Sequence, residues 1–254
     1  MKAWSGVGEA YESSYASLCE GTADALVGAI GRGQGRSLLD VGAGTGRLAA
    51  RFAAAGWSVT AGEPEATMRL VAERLYPGLE VVDMELPELP VADRAYDCVV
   101  ANFVLNHVAD PRAAATELLR VSAQVSAATI WSSSPSWFWV DVCQRAGLPS
   151  VAGERLAPHL DFDRTRDGFA QMLTEAGWPS VTTIPLEWTW RADPAALWTS
   201  AEGGVAAAGL FYRQQGPVDR ERFRRAFDDL CAATAVDALV ALPHTAVLAV
   251  SRRR

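Results

Sequence analysis

LLDVGAGTGRLA, at residues 38–49, is the stretch of this 254-residue chain that says most about its fold. A short apolar run predicts a buried strand over 37–41, and a helical pattern follows over 47–55. Between them stand three glycines, Gly42, Gly44 and Gly46. Glycines are needed where a chain turns sharply or a ligand touches the backbone, and the N–H groups that open a helix favour negative charge. The motif therefore predicts a strand, a ligand-binding turn and a helix.

The same alternation continues on both sides of the motif. The pattern predicts further strands over 57–61, 79–82, 96–101 and 125–131, and helices over 66–75 and 112–121. Strands separated by helices of about ten residues are typical of βαβ units and so of a mostly parallel sheet. The segment 9–30, before the first strand, is predicted to form one or two helices.

The second half of the chain is less regular. It predicts helices over 136–146, 167–176, 195–212 and 219–233, and strands over 181–190 and 245–250. Seven of the nine tryptophans lie between residues 131 and 198. Six of them are candidates for the wall of an aromatic pocket: Trp131, Trp137, Trp139, Trp188, Trp190 and Trp198. Core packing explains some of these side chains equally well.

Composition excludes several classes of function. Half of the residues are hydrophobic and 21% are charged, which is typical of a globular protein. The net charge of −7 disfavours binding to nucleic acid or to an anionic membrane. The four cysteines show no metal-ligand spacing, so we expect neither a metal site nor a disulfide framework. The uncharged stretch 121–140 contains six serines and is a poor membrane span, so we expect a cytoplasmic protein.

The glycines alone fit two kinds of ligand. Residues 44–49 also satisfy the dinucleotide fingerprint G-x-G-x-x-A, and Glu63 follows near the distance expected of a ribose-binding acid. Asp40, however, lies inside the strand end, where a carboxylate would repel a pyrophosphate but could bind a cationic amine. Asp83 and Asn102 end two further predicted strands. These strand ends line the carboxyl edge of the sheet, where open α/β folds bind ligands.

Four motifs, taken together, resemble the class I S-adenosylmethionine-dependent methyltransferases, in particular the small-molecule branch related to ubiquinone and menaquinone biosynthesis. They are LLDVGAGTGRLA at 38–49, VTAGEPEATM at 59–68, VVDMELPELP at 81–90 and AYDCVVANFVLNHVADP at 95–111. The resemblance implies an α/β fold with a doubly wound, mostly parallel, seven-stranded sheet and helical lid insertions. It implies one domain over 1–254, with an N-terminal lid at 1–35, a cofactor-binding core at 36–131 and a substrate cap at 132–254.

The resemblance also assigns S-adenosylmethionine as cofactor, S-adenosylhomocysteine as product and a set of contacts. The methionine part would meet Asp40, through its amino group, and the turn residues Gly42, Ala43, Gly44 and Gly46. Glu63 would take both ribose hydroxyls, since a carboxylate has two acceptor oxygens. The remaining contacts are Pro64, Met68, Asp83 and Met84 around the adenine, Asn102 and Phe103 at the methionine end, and Tyr11 and Tyr15 closing over the cofactor.

Catalysis is the least determined part. His107 follows the fourth strand and is a candidate base for an oxygen acceptor, although a structural role in that loop is the favoured interpretation. No N-P-P-[YFW] sequence follows the fourth strand, so the signature of methylation at nucleobase or glutamine amides is absent.

We therefore expect methyl transfer to a small, apolar or aromatic molecule. A lysine-poor, arginine-rich composition suggests a GC-rich bacterial genome and a substrate of specialised metabolism. Two alternatives stay open. One is a nicotinamide-dependent oxidoreductase, although the only lysine, Lys2, forms no Tyr-x-x-x-Lys pair. The other is a protein that binds S-adenosylmethionine without turning it over.

Overall fold

Eight strands form one sheet in the computed structural model, which describes residues 4–151 and 156–253. Lys2 and parts of the predicted lid and cap lie outside the described residues. The strands are β1 (Ser37–Val41), β2 (Ser58–Gly62), β3 (Glu80–Val82), β4 (Tyr96–Asn102), β5 (Ser122–Trp131), β6 (Thr182–Ala192), β7 (Ala235–Val236) and β8 (Leu239–Arg252). The α-helices are α1 (Gly8–Ser13), α2 (Ala16–Cys19), α3 (Ala23–Ile30), α4 (Arg47–Ala54), α5 (Ala66–Leu75), α6 (Pro111–Val121), α7 (Trp137–Ala146), α8 (Arg166–Glu175), α9 (Pro194–Glu202), α10 (Ala206–Gln214) and α11 (Pro217–Thr234).

The sheet is doubly wound, as the sequence predicts. Seven strands run in the order β3-β2-β1-β4-β5-β8-β6, and the two-residue β7 pairs with β8 outside this path. Strands β1 to β5 are parallel to one another, whereas β8 runs antiparallel between β5 and β6. After β1, the chain first adds β2 on one side of β1 and later adds β4 on the other side. The carboxyl ends of β1 and β4 therefore lie at a topological switch point, where such sheets bind ligands.

Each face of the sheet is covered by its own layer of helices. Leu38 faces a layer built from α3 and α4, where Leu26 and Phe52 are fully buried. Its neighbour Leu39 faces the opposite layer, where α8 contributes Phe169. Successive residues of a strand point to opposite faces, so a nearly continuous apolar run is what a strand buried on both sides requires.

A third cluster forms a cap beyond the carboxyl edge of β5. Trp131, the last residue of β5, pairs with Ala246, so the part of β8 before that residue extends past β5 and pairs with β6. Helices α7, α9, α10 and α11 pack on this extension and bury Trp139, Phe223 and neighbouring rings.

The predicted strand 245–250 is too short, because β8 begins at Leu239. Pro243 lies inside the missed part and pairs with Thr189 of β6. A proline cannot donate to a sheet ladder and is found on edges. Since β5 ends opposite Ala246, β6 is the one described strand that pairs with β8 at Pro243. On its other side, Pro243 faces no described strand that would need a backbone N–H donor.

Two helix predictions are also wrong. The predicted helix 195–212 is two helices, α9 and α10, because the chain turns at Gly204 with a φ of +76°. The segment 9–30 contains α1, α2, a 3₁₀ turn at Glu20–Thr22 and α3. The hydroxyls of Ser13 and Ser14 donate to the carbonyls four residues back, and such bonds compete with continuation of a helix.

Two absences hold for the described residues. Within 4–151 and 156–253, no helix is both long enough and apolar enough to cross a membrane. Over the same ranges, no group of His, Cys, Asp and Glu side chains is arranged to hold a metal ion.

Candidate active site

The glycine-rich turn after β1 is held in a left-handed conformation. Gly42, Gly44 and Gly46 have φ values of +70°, +57° and +84°, which L side chains rarely adopt. The N–H groups of Gly42 and Ala43 donate to the carbonyl of Gly62 at 2.7 and 3.1 Å, so the turn is tied to the end of β2. A Cβ atom on Gly42 would come within 2.5 Å of Val104 Cγ2. The turn therefore tolerates only glycine at its most crowded position.

Glu63, directly after β2, faces this turn. Its side chain is buried, with 7% of the residue exposed. Oε2 accepts a hydrogen bond from the Gly44 N–H at 2.8 Å, and Oε1 accepts one from the Glu65 N–H at 2.9 Å. Burial raises the pKa of Glu63, and the two backbone donors oppose that shift. Each oxygen keeps a second lone pair, so the carboxylate can accept two more hydrogen bonds.

Asp40 lies at the end of β1 and is almost completely buried. Only 1% of the residue is exposed, and its Oδ2 has no hydrogen-bond partner among the residues that the structure describes. Burial, with a further contribution from the charge of Glu63, raises the pKa of Asp40 to about 8. The carboxyl group is therefore mostly protonated at neutral pH, and a cation beside it would favour the ionised form.

Asp40 opens onto a recess at the switch point of the sheet. The strand and turn side of the recess is formed by Asp40, Gly42, Ala43, Thr45 and Asn102. The opposite side belongs to the N-terminal segment, through Tyr11, Cys19 and Glu20. The acidic strand end, the glycine turn and the N-terminal helices thus meet around one space.

An ionic latch holds the N-terminal segment on the glycine turn. Glu12 accepts hydrogen bonds from Thr45 Oγ1 at 2.5 Å and from Arg47 at 2.6 and 2.9 Å. Arg47 also donates to Glu20 at 3.2 Å. These partners are at least 27 residues apart in sequence and belong to no motif, so the sequence analysis missed them.

The two predicted tyrosines diverge. They are not on one helix, because α1 ends at Ser13 and Tyr15 precedes α2. The Tyr11 ring lies over the turn, with Cε1 3.3 Å from where a Gly44 Cβ would stand. Tyr15 points into the cap instead, where its hydroxyl accepts a hydrogen bond from Trp139 Nε1 at 2.6 Å.

Asn102 and Phe103 occupy the end of β4. The Asn102 Oδ1 accepts hydrogen bonds from the hydroxyls of Thr22 and Thr129, at 2.8 and 2.6 Å. Its Nδ2 donates to the carbonyl of Cys19 at 3.1 Å, so this side chain joins the N-terminal segment to the sheet. Phe103 has a φ of +60° and is stacked on Trp131 with centroids 3.7 Å apart. Its ring belongs to the aromatic cap.

The remaining predicted contacts lie around α5 and β3. Arg69 bonds the carbonyls of Glu63 and Pro64 at 2.8 and 2.7 Å and forms an ion pair with Asp83 at 3.1 Å. Sequence analysis did not identify this arginine. Asp83 itself is largely exposed.

The two predicted methionines beside α5 and β3 are both buried. The sulfur of Met84 is 3.4 Å from where a Gly62 Cβ would stand. Met68 packs with Val7 and Val205 beneath the N-terminal segment.

His107 lies in the loop after β4. Its side chain is accessible to solvent and packs edge-on against Trp4, with ring centroids 5.1 Å apart. The surrounding protein displaces enough water to lower the pKa of His107 to about 4. The imidazole is therefore neutral at physiological pH.

Comparison with known proteins agrees with this architecture. The family model described as "Methyltransferase domain" matches residues 39–125. The demethylmenaquinone methyltransferase of Renibacterium salmoninarum is 29% identical over 172 residues, which cover 62% of this chain and 72% of that protein. Its counterpart in Paenarthrobacter aurescens is 31% identical over 163 residues, which cover 58% and 64%. The solved YcgJ protein of Bacillus subtilis has the same fold, with a TM-score of 0.58, 16% identity and coverage of 92% and 98%.

We expect Asp40→Asn to stabilise the ligand-free protein at alkaline pH. The pKa of Asp40 rises from 3.8 in the unfolded chain to about 8 in the folded protein. The stability that protonated Asp40 contributes is therefore complete below pH 4 and is lost as the pH rises to 8. Because asparagine does not ionise, the free energy of unfolding of the variant at pH 8.5 should exceed that of the wild type by about 1–3 kcal/mol. Urea denaturation at pH 5 and 8.5 measures the difference.

The matched control for that experiment is Asp97→Asn. The Asp97 carboxylate accepts hydrogen bonds from both the N–H and the hydroxyl of Ser37, each at 2.9 Å, so its replacement should destabilise the protein. An Asp40→Asn variant that is less stable than the wild type at pH 8.5 would contradict the account of a buried, uncompensated carboxyl group.

Proposed function

Since the chain belongs to the class I S-adenosylmethionine-dependent methyltransferases, we propose that it methylates a small, apolar or aromatic molecule of bacterial specialised metabolism. The observation that carries the proposal is the pair of buried carboxyl groups at the glycine turn. Within the described part of the chain, Asp40 has an oxygen without a partner, and Glu63 retains two acceptor positions. A ligand with a cationic amine and a vicinal diol would satisfy both groups, and the cofactor carries both.

In the proposed arrangement, Asp40 binds the amino group of the cofactor and Glu63 the ribose hydroxyls. The turn residues Gly42, Ala43, Gly44 and Gly46 border the methionine part, and Asn102 and Phe103 lie at its far end. Pro64, Met68, Asp83 and Met84 are assigned to the adenine. Asp83 would exchange part of its ion pair with Arg69 for the adenine amine.

When bound, the cofactor would supply a methyl group activated by its positively charged sulfur, for transfer to a nucleophilic atom of the acceptor. The protein has to align the two molecules and exclude water, and alignment alone supplies much of the acceleration of such displacements. Tyr11 lies over Gly44, and the latch of Glu12 and Arg47 holds the segment that carries it. We assign this segment as the lid of the site. Tyr15 supports the lid through its bond to Trp139.

The acceptor is assigned to the aromatic cap. Phe103, which is assigned to the methionine end of the cofactor, belongs to this cap, so the cap begins where the methionine part of the cofactor would end. A wall of aromatic rings favours planar or apolar ligands. The cytoplasm is the proposed compartment, because all four cysteines are free thiols in the described structure.

Two alternatives are less well supported. Asp40 offers no positive charge to the pyrophosphate of a dinucleotide and would repel it when ionised, and the matching family is one of methyltransferases. A protein that only binds the cofactor would bind S-adenosylhomocysteine, but it would not convert S-adenosylmethionine to S-adenosylhomocysteine with any acceptor. A screen of phenols, amines and thiols for release of S-adenosylhomocysteine distinguishes binding from turnover.

Glu63→Ala should weaken binding of S-adenosylhomocysteine by roughly 2 kcal/mol or more, because charge-assisted hydrogen bonds to the ribose are lost. Isothermal titration calorimetry measures the change. Glu73→Ala is the control, since Glu73 is an exposed acid on α5. Unchanged affinity in a folded Glu63→Ala variant would remove Glu63 from the site.

We further propose that His107 takes the proton of a hydroxyl acceptor. Its imidazole is neutral above pH 4, accessible and placed after β4, the strand that also carries Asn102. If the acceptor is an amine or a thiolate, no base is required and His107 serves only to hold its loop against Trp4.

His107→Ala should lower turnover of a phenolic acceptor by about 10²–10⁴-fold and leave binding of S-adenosylhomocysteine unchanged. The wild-type rate should fall on the acidic side near pH 4, where the imidazole becomes protonated, and the variant should lack this limb. His159→Ala, which removes an exposed histidine before α8, is the control. Full activity of a folded His107→Ala variant on a phenol would exclude the base assignment.

A further inference from the structure

Two of the buried nitrogen atoms that find no hydrogen-bond partner among the described residues lie side by side where the aromatic cap meets the sheet. They are Nε1 of Trp188 and Nε2 of His244. Trp188 and His244 are paired across β6 and β8 and therefore point to the same face of the sheet, with ring centroids 5.8 Å apart. A buried polar atom without a partner is costly because it has lost its hydrogen bonds to water, so two of them side by side call for an explanation.

Both nitrogens border a stack of rings that begins at the end of β4. Phe103 and Trp131 are parallel within 2°, and Trp188 continues the stack at 5.5 Å from Trp131. His244 lies 5.6 Å from Trp131, with only 5% of the residue exposed. The flat faces suit an aromatic ligand, while the two nitrogens add polar atoms to an otherwise apolar wall.

The indole nitrogen of Trp188 also points towards the cofactor side. A Cβ atom on Gly21 would stand 2.3 Å from this nitrogen, so only a residue without a side chain can lie opposite it. Gly21 is followed by Thr22, whose hydroxyl donates to Asn102 at 2.8 Å. The nitrogen, the 3₁₀ turn Glu20–Thr22 and the end of β4 are therefore neighbours.

We propose that Trp188 and His244 are the specificity-determining pair of the acceptor site, and that they bind an oxygen substituent on a planar aromatic acceptor. The ring of the acceptor would stack along Phe103 and Trp131, after the 3₁₀ turn has moved aside. The indole N–H can only donate, so it selects an acceptor oxygen such as a hydroxyl or a carbonyl. The imidazole can donate or accept at Nε2 and suits the same oxygen. This inference rests on the proposed function.

Aromatic ligands that differ by one oxygen test the pair. We would measure the dissociation constants of 2-naphthol and naphthalene by equilibrium dialysis on the full chain saturated with S-adenosylhomocysteine. The wild type should bind 2-naphthol at least about fivefold more tightly, which is the gain expected of one satisfied buried hydrogen bond. Trp188→Phe and His244→Phe should each reduce this preference, and the double variant should bind both probes equally within about twofold.

Trp198→Phe is the matched control. The indole nitrogen of Trp198 is also buried without a partner in residues 4–151 and 156–253, but its ring packs on Tyr212 and Phe227 among α9, α10 and α11. The control should keep the fivefold preference. Circular dichroism and binding of S-adenosylhomocysteine establish that each variant is folded.

Three results would overturn the inference: no binding of 2-naphthol to the wild type, equal binding of both probes to it, or a full preference in the folded double variant. Each can occur while S-adenosylhomocysteine still binds, and then only the assignment of the pair fails. Loss of S-adenosylhomocysteine binding in the wild type would instead refute the proposed function.

Discussion

Burial of two carboxyl groups, Asp40 and Glu63, at the ends of two adjacent parallel strands is the constraint around which this structure is arranged. Carboxylates are among the most costly groups to remove from water unless they are paired. Glu63 is compensated by the N–H groups of Gly44 and Glu65, and Asp40 is compensated by holding its proton. The glycine turn supplies one of these donors because its positive φ values bring the Gly44 N–H to face β2.

The N-terminal segment completes this site by covering it. Its helices are too short to be stable alone, since isolated helices below about 12–15 residues are marginal in water. They are held by contacts to the sheet: the latch of Glu12 and Arg47, and the bonds of Asn102 to Thr22 and Cys19. Apolar contacts add to these bonds, because Val7 packs with Met68 and α3 packs in the same layer as α4.

The parts of the molecule that sequence predicted well are those with local signals. The strand–turn–helix at 37–54 combines an apolar run, glycines and a helical pattern within one short window, and β1 begins and ends where predicted. The N-terminal latch was missed because Glu12 and Arg47 are 35 residues apart and either charge alone resembles a solvated surface residue. The same limit applies to Arg69, to the divergence of Tyr15 and to the extension of β8, all of which depend on tertiary neighbours.

Calorimetric titration with S-adenosylhomocysteine at pH 7, in two buffers of different ionisation enthalpy, tests the central claim most directly. If Asp40 is protonated before binding and ionises against the ligand's amine, about one proton should be released per ligand bound. The Asp40→Asn variant should bind more weakly and lose this proton release. Tight binding to the wild type with the same apparent enthalpy in both buffers would contradict the assignment of Asp40 as the buried partner of the cofactor's amine.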